Sequence, residues 1–184
     1  MRVISGTAKG RMLRSAPGTG TRPITDRVKE AIFNIIGADV VSSLWWDVFG
    51  GTGAVGIEAL SRGAAHARFT ELHRGPLETI QANLSLTNLA DRAELRRADA
   101  FTLLSAQPDQ QFDYIYLAPP QYQDMWWRAL AALDGNLHWL SPDGWVLVQV
   151  APKEYRAWSA GKLEEFDTRK YGTTLVLFYA RKEH

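Results

Sequence analysis

The fold is decided by one stretch of sequence, Asp47-Val48-Phe49-Gly50-Gly51-Thr52-Gly53-Ala54-Val55-Gly56. An apolar run at 44–49 leads into its glycines, and a run with helical spacing at 54–62 follows them. This pattern is typical of a strand that turns through glycines into a helix, where unpaired backbone N–H groups and a close backbone approach favour ligand binding. The alternative is that the glycines serve only the tight packing of strand against helix.

The alternation of strand and helix continues along the chain. Further strands are predicted at 67–71, 93–97 and 114–117, and further helices at 77–86, from 100 and at 124–133. Repeated strand–helix units favour a parallel sheet with helices on both faces. After residue 144 three strands follow one another, at 145–150, 164–170 and 174–179, and the last two predict an antiparallel hairpin. The predicted fold class is therefore α/β with a mostly parallel sheet.

The first 37 residues have a different pattern. Short β-like stretches at 2–5 and 11–14 predict a hairpin, and apolar residues with helical spacing predict a helix from Ile24 to Gly37, capped by Thr25 or Asp26. A length of 184 residues fits one domain. We expect a single domain over 1–184, with an N-terminal extension at 1–37 and a core at 38–184.

The net charge of +1 conceals an uneven distribution. Residues 1–30 carry seven Lys or Arg against two acids, a net charge of +5, whereas the rest carries fourteen basic and eighteen acidic residues, a net charge of −4. Such asymmetry favours an anionic partner such as nucleic acid. A solvated, charge-rich terminus accounts for it equally well.

The composition excludes several classes of site. Without cysteine there is no disulfide, Cys-ligated metal or thiol nucleophile. The histidines are too far apart in sequence for a metal-binding motif, so we expect no metal: His66, His73, His138 and His184. No apolar run approaches the roughly 18–20 residues of a membrane span, and no signal peptide is recognisable. We expect a cytoplasmic protein without a membrane partner, and a monomer.

Three acids follow successive predicted strands and suggest what the glycine turn binds. Asp47 would repel a pyrophosphate but suits an ammonium or sulfonium, which favours S-adenosylmethionine over NAD. Glu71 is placed to accept ribose hydroxyl hydrogens, and Asp99 to accept from an adenine amine. For each acid taken alone, a role as a helix cap or as a solvated strand end explains its position equally well. Because the glycines also satisfy G-x-G-x-x-G, a nicotinamide-dependent oxidoreductase is an alternative.

With these residues assembled, the chain resembles the RsmD-like guanine-N2 methyltransferases that act on small-subunit ribosomal RNA. The matching segments are 2–6 with 9–11, Arg22-Pro23-Ile24-Thr25-Asp26-Arg27-Val28 continuing to 34, 47–53, 56–63, and Ala118-Pro119-Pro120 after the fourth strand. The resemblance implies a Rossmann-like class I methyltransferase with a seven-stranded sheet and an RNA-binding N-terminal extension. It implies methylation of a guanine N2 amine in 16S ribosomal RNA.

Taken with this resemblance, the sequence assigns three sets of site residues. The cofactor-binding set is Asp47, Phe49, Gly51, Gly53, Glu71 and Asp99. The acceptor pocket, expected to carry catalysis, is Ala118, Pro119, Pro120 and Tyr122. The RNA-binding set is Arg2, Lys9, Arg11, Arg22, Arg27 and Lys29.

The chain departs from the family at position 118. The family has Asp or Asn before its two prolines and an aromatic residue directly after them, whereas this chain has Ala118 and places Gln121 before Tyr122. Backbone carbonyls of Ala118 and Pro119 could still orient the amine, because in-line positioning dominates such transfers. Candidates for a replacement acceptor are Gln121, Asp124 and Asp26. The missing acid also motivates an alternative function, a non-catalytic RNA-binding protein on a methyltransferase scaffold.

Overall fold

A computed structural model describes residues 1–16, 23–159 and 161–182. The helices are α1 (Asp26–Ile36), α2 (Ala54–Ser61), α3 (Arg74–Thr87), α4 (Ala100–Ser105) and α5 (Met125–Gly135). The strands are β1 (Leu44–Asp47), β2 (His66–Glu71), β3 (Ala93–Arg97), β4 (Phe112–Leu117), β5 (Leu140–Val150), β6 (Leu163–Tyr171) and β7 (Thr174–Arg181). In these ranges no helix combines the length and apolar character that a membrane crossing requires.

The strands form one seven-stranded sheet in the order β3-β2-β1-β4-β5-β7-β6. Strands β1 to β5 are parallel, and β7 runs antiparallel to both β5 and β6. The predicted mostly parallel sheet with an antiparallel C-terminal hairpin is confirmed. The chain order reverses direction between β1 and β4, so the crevice at the carboxyl ends of these two strands is the expected ligand position.

Each face of the sheet has its own buried core. Strand alternation sends Trp45 to the face covered by α1, α2 and α3, and Trp46 to the face covered by α4 and α5. The first core also contains Val3, Ala8 and Leu13. The N-terminal segment therefore packs into the same core as the helices it precedes.

The predicted N-terminal hairpin forms with less regular pairing than expected. Backbone hydrogen bonds join Val3 to Arg11 and Leu13 to Met1, but the only β-bridge within the described part of this segment pairs Arg2 with Met12. The segment is held mainly by α2. A Cβ at Gly6 would lie 1.8 Å from the Ser61 carbonyl oxygen, so the chain approaches the end of α2 as closely as glycine allows.

A buried carboxylate, that of Glu58 on α2, fastens this segment to the core. It accepts hydrogen bonds from the Ile4 and Ser5 backbone N–H groups at 2.9 and 3.0 Å. It also pairs with Lys29 Nζ at 3.2 Å and Arg62 Nε at 2.8 Å. Two cations and two amides thus offset the cost of burying one carboxylate.

The prediction that Lys29 contacts RNA phosphates is wrong. Both Lys29 and Glu58 side chains are fully buried, and Lys29 Nζ also donates to the Arg2 carbonyl oxygen at 2.5 Å. Burial lowers the pKa of Lys29, and the adjacent Glu58 carboxylate offsets part of this shift. Lys29 lies on the inner face of α1, where its ammonium group pairs with the buried carboxylate of Glu58.

Candidate functional site

Two adjoining cavities open at the carboxyl edge of the sheet, beside β1 and β4. The first has a volume of about 300 Å³ and the second about 240 Å³. Ala16, Phe49 and Gly51 line both, so a single extended ligand can occupy the two cavities. The glycine turn forms the floor between them.

The glycines of this turn have different tasks. Gly51 and Gly53 have φ of +56° and +75°, which turn the chain from β1 into α2. A Cβ at Gly56 would lie 2.4 Å from the Phe69 ring, so Gly56 permits close packing of α2 on β2. Of the two glycines assigned to the cofactor, Gly51 lines the cavities, whereas Gly53 shapes the turn.

The first cavity combines an apolar wall with two carboxylates. Leu72 and Phe101 contribute to the wall, while Glu71 and Asp99 supply the acids at the ends of β2 and β3. Glu71 accepts hydrogen bonds from the backbone N–H groups of Gly51 and His73 at 3.1 and 2.9 Å. A carboxylate accepts about four hydrogen bonds, so Glu71 has capacity left for a ligand.

Asp99 fulfils both roles that the sequence left open. It caps α4 by accepting from the Thr102 backbone N–H at 2.9 Å, and it also lines the first cavity. The cap holds the carboxylate in a defined position. A flat ring with a hydrogen-bond donor at its edge and neighbouring hydroxyl groups would be complementary to this cavity.

The second cavity contains a buried acid without a counter-charge. Asp47 is 2% exposed, and its Oδ1 has no hydrogen-bond partner in the described part of the chain. Burial raises the pKa of Asp47 well above its ordinary value. A hydrogen bond from the Gly56 backbone N–H acts to lower this pKa, and the nearby negative charge of Glu71 acts to raise it. Such a carboxylate favours a cationic ligand group.

Tyr116 and Gln149 lie beside Asp47 in the same cavity. Tyr116 OH donates to Gln149 Oε1 at 2.6 Å. Burial raises the pKa of Tyr116 well above its ordinary value, and the Asp47 charge adds to this effect, so the hydroxyl stays protonated and remains a donor. The predicted site did not include either residue, although a lone amide in the apolar run Trp145–Val150 is a signal that could have found Gln149.

The loop after β4 borders both cavities. Ala118 lines the second cavity and Pro120 the first, and Pro119 between them is buried. Tyr122 lies elsewhere: its side chain is 69% exposed and lines neither cavity. The backbone explains this, because Tyr122 has φ of +62° and its N–H donates to Glu154 Oε1 at 2.6 Å. The structure thus contradicts the prediction that Tyr122 forms part of the acceptor pocket.

The three replacement acceptors suggested by the sequence are also outside the cavities. Asp26 pairs with Arg2 Nε at 3.5 Å, and Asp124 accepts from Arg156 at 2.8 Å. Gln121 lines neither cavity. The two candidate carboxylates, Asp26 and Asp124, are therefore engaged by arginines.

The family model described as Conserved hypothetical protein 95 matches residues 1–180. The chain belongs to this family. It is 37% identical to the Putative rRNA methyltransferase YlbH of Bacillus subtilis, over 99% of this chain and 100% of that protein. It is 33% identical to the Ribosomal RNA small subunit methyltransferase D of Escherichia coli, over 81% of this chain and 74% of that protein.

Solved structures show the same architecture. The Putative methyltransferase yhhF from Escherichia coli superimposes with a TM-score of 0.87 at 28% identity, covering 100% of this chain and 99% of that one. An RNA methyltransferase from Salinibacter ruber in complex with S-Adenosyl-L-homocysteine shares the fold, with a TM-score of 0.66 at 17% identity, covering 89% and 96%. The Rossmann-like class I methyltransferase fold and the resemblance to the RsmD-like family are confirmed.

In this family member the N-terminal segment forms one wall of the second cavity, through Ser15, Pro23 and Ile24. Asn83 on α3 anchors it there. Its side chain accepts from Arg14 N at 2.8 Å and donates to the carbonyl oxygens of Arg14 and Thr52 at 3.1 and 3.0 Å. Asn83 thereby joins the segment to the glycine turn, a link that periodicity cannot predict.

The basic residues assigned to RNA have different positions. The side chains of Arg2, Lys9, Arg11 and Arg27 are exposed, as a phosphate contact requires. Arg22 lies outside the described residues. Together with the buried Lys29, this leaves four of the assigned residues on the described surface.

The unpaired Asp47 leads to a stability prediction. Because its native pKa is raised above the unfolded value, the native state binds a proton more readily, and stability falls as pH rises between these two values. Asp47→Asn should therefore stabilise the free protein at neutral pH by about 1–2 kcal/mol. Urea unfolding at pH 7 and about pH 4 measures the free energy of unfolding of both proteins. The stability difference between the variant and the wild type should be smaller at the acidic pH.

The matched control is Asp143→Asn, which removes an exposed carboxylate from the part of β5 where its register with β4 shifts. It should change stability by less than about 0.5 kcal/mol at either pH. A loss of stability in the Asp47 variant at neutral pH would contradict our description of this carboxylate as unpaired.

Proposed function

We propose that the protein is an S-adenosylmethionine-dependent methyltransferase that methylates the exocyclic N2 amine of a guanine in 16S ribosomal RNA, acting as a cytoplasmic monomer. The observation that carries the proposal is the pair of joined cavities. One offers an apolar wall and two carboxylates, and the other offers a buried, unpaired carboxylate beside the loop after β4. The names of the relatives support methyltransferase activity on ribosomal RNA.

The residues present fit the cofactor. The orphaned Oδ1 of Asp47 suits its ammonium group, and Gly51 gives the backbone access to both cavities. Glu71 would accept from the ribose hydroxyls and Asp99 from the adenine amine, with Phe101 against the ring. When bound, S-adenosylmethionine supplies an electrophilic methyl group on a sulfonium. An NAD pyrophosphate would meet Asp47 as a like charge, which disfavours the nicotinamide alternative.

The protein's contribution to chemistry is largely positioning. A guanine N2 lone pair is delocalised into the ring, so rate depends on aligning that nitrogen and excluding competing water. Pro23, Ile24 and Ala118 give the second cavity apolar surfaces for this purpose. The exposed cations of the N-terminal segment, Arg2, Lys9, Arg11 and Arg27, would bind the RNA phosphates around the target.

Methyl transfer from labelled S-adenosylmethionine to undermethylated small-subunit RNA or particles tests the proposal. We expect label in N2-methylguanosine after digestion to nucleosides. A matched RNA with inosine at the mapped position lacks only the 2-amino group and should accept no label. Binding of cofactor and RNA without transfer would instead support the non-catalytic alternative, and selective nicotinamide binding would support the oxidoreductase.

Because the proposal assigns RNA binding to the N-terminal cations and cofactor binding to the cavities, substitutions should affect the two separately. Replacing Arg11 and Arg27 by Gln should weaken RNA binding for all sequences. It should also reduce the magnitude of the slope of the log of the binding constant against log salt by about 1.4 to 1.8, since each lost phosphate contact accounts for about 0.7 to 0.9. Filter binding over a salt series measures the slope. Affinity for S-adenosylhomocysteine should stay within about twofold, because neither residue lines the two cavities.

The charge-matched control replaces Lys162 and Lys182 by Gln, at the ends of β6 and β7 that are farthest along these strands from the 171–174 turn beside Arg27. This variant should keep the wild-type slope. An equal fall in both variants would show that net charge alone governs RNA binding, and would contradict a role for the N-terminal segment.

A further inference from the structure

We propose that Gln149 is a catalytic residue of this enzyme: its carboxamide, from the strand next to Ala118, takes the place of the Asp or Asn that the family has at position 118. This rests on the proposed function. Ala118 lines the second cavity, but its methyl side chain has no atom that accepts a hydrogen bond. A side-chain acceptor for the amine must therefore come from another element.

Strand register places Gln149 at the level of Ala118. In the parallel pair of β4 and β5, Leu117 stands opposite Val148, so the next positions along are 118 and 149. Tyr116, Ala118 and Gln149 face the same cavity, as strand alternation requires. A side chain at 149 therefore reaches the space that a longer side chain at 118 would occupy.

Asp47 is the rival acceptor in this cavity, and its register argues against it. Asp47 stands opposite Tyr116 in the β1 and β4 pair, two residues deeper than Ala118. At about 3.3 Å per residue this is about 7 Å along the strand. Asp47 thus suits a cofactor group deeper in the cavity, whereas Gln149 lies at the level of Ala118, where the loop after β4 begins.

The hydrogen bond from Tyr116 gives Gln149 a defined orientation. Tyr116 OH donates to Gln149 Oε1 at 2.6 Å, and its raised pKa keeps it a donor. A carbonyl oxygen has two lone pairs, so Oε1 can accept a second hydrogen bond from the guanine N2 amine. The Nε2 group can donate to guanine N3, by the bidentate geometry with which amides bind an adjacent donor and acceptor.

This arrangement orients the amine without acting as a base. In the transfer the N2 lone pair forms the N–C bond, the electrons of the methyl–sulfur bond remain on sulfur, and N2 loses one proton. A carboxamide does not take up that proton at neutral pH, so the proton passes to water. Gln149 contributes by holding the amine so that its lone pair faces the methyl group.

The experiment combines removal with rescue. Gln149→Leu keeps the size but removes the acceptor, and should lower kcat for methyl transfer by about 10²-fold with RNA and cofactor Kd within about threefold. Adding Ala118→Asn to that variant restores the family's residue and should recover at least about tenfold. Recovery is a readout that a merely structural role of Gln149 would not produce.

A control variant makes the test specific. Gln81→Leu, on the exposed face of α3, controls for the substitution itself and should transfer at the wild-type rate. Methyl transfer by Gln149→Leu at a rate within about threefold of wild type would overturn the inference. So would a double variant that folds and binds the cofactor but in which Ala118→Asn does not restore methyl transfer. Absence of transfer by the wild-type protein would instead refute the proposed function, so the two failures are distinguishable.

Discussion

The buried carboxylate of Glu58 is the constraint on which the arrangement of this protein depends. Two backbone N–H groups of the N-terminal segment and the cations of Lys29 and Arg62 converge on it. Burying one carboxylate is costly unless its charge and lone pairs are satisfied, and removal of a partner leaves that cost uncompensated. The segment, α1 and α2 are thereby held in one arrangement. That arrangement brings Pro23 and Ile24 to the second cavity.

Asp47 is the opposite case, because its charge is buried and left unpaired. Glu58 is satisfied within the chain and stabilises the fold, whereas Asp47 is left for a ligand, at a cost to the free protein. Functional sites commonly retain such unfavourable groups because binding relieves them. The same logic applies to Tyr116 and Gln149, whose mutual hydrogen bond leaves one acceptor position free toward the cavity. Under the proposed function, Asp47 would hold a cation on one side of the site and Gln149 an amine on the other.

Periodicity and glycine placement were sufficient to predict the sheet, its helices and the edge where the site lies, since these follow from local pattern. The predicted acids Asp47, Glu71 and Asp99 do line the cavities. Burial by tertiary contacts could not be predicted in this way. A count of charges assigned Lys29 to the surface. Its buried partner, Glu58, is 29 residues away on α2, so no local pattern reveals the pair. Gln149 was missed because β4 and β5 become neighbours only in the sheet.

Amide hydrogen exchange in Glu58→Gln tests the central claim that this carboxylate holds the N-terminal segment on the core. We expect the amides of Ile4 and Ser5 to lose protection by about tenfold or more, while Ile115 in the central strand keeps its protection. Glu78→Gln, which breaks an exposed pair with Arg74 on α3, should leave both regions unchanged. Unaltered protection of Ile4 and Ser5 in Glu58→Gln would contradict the account.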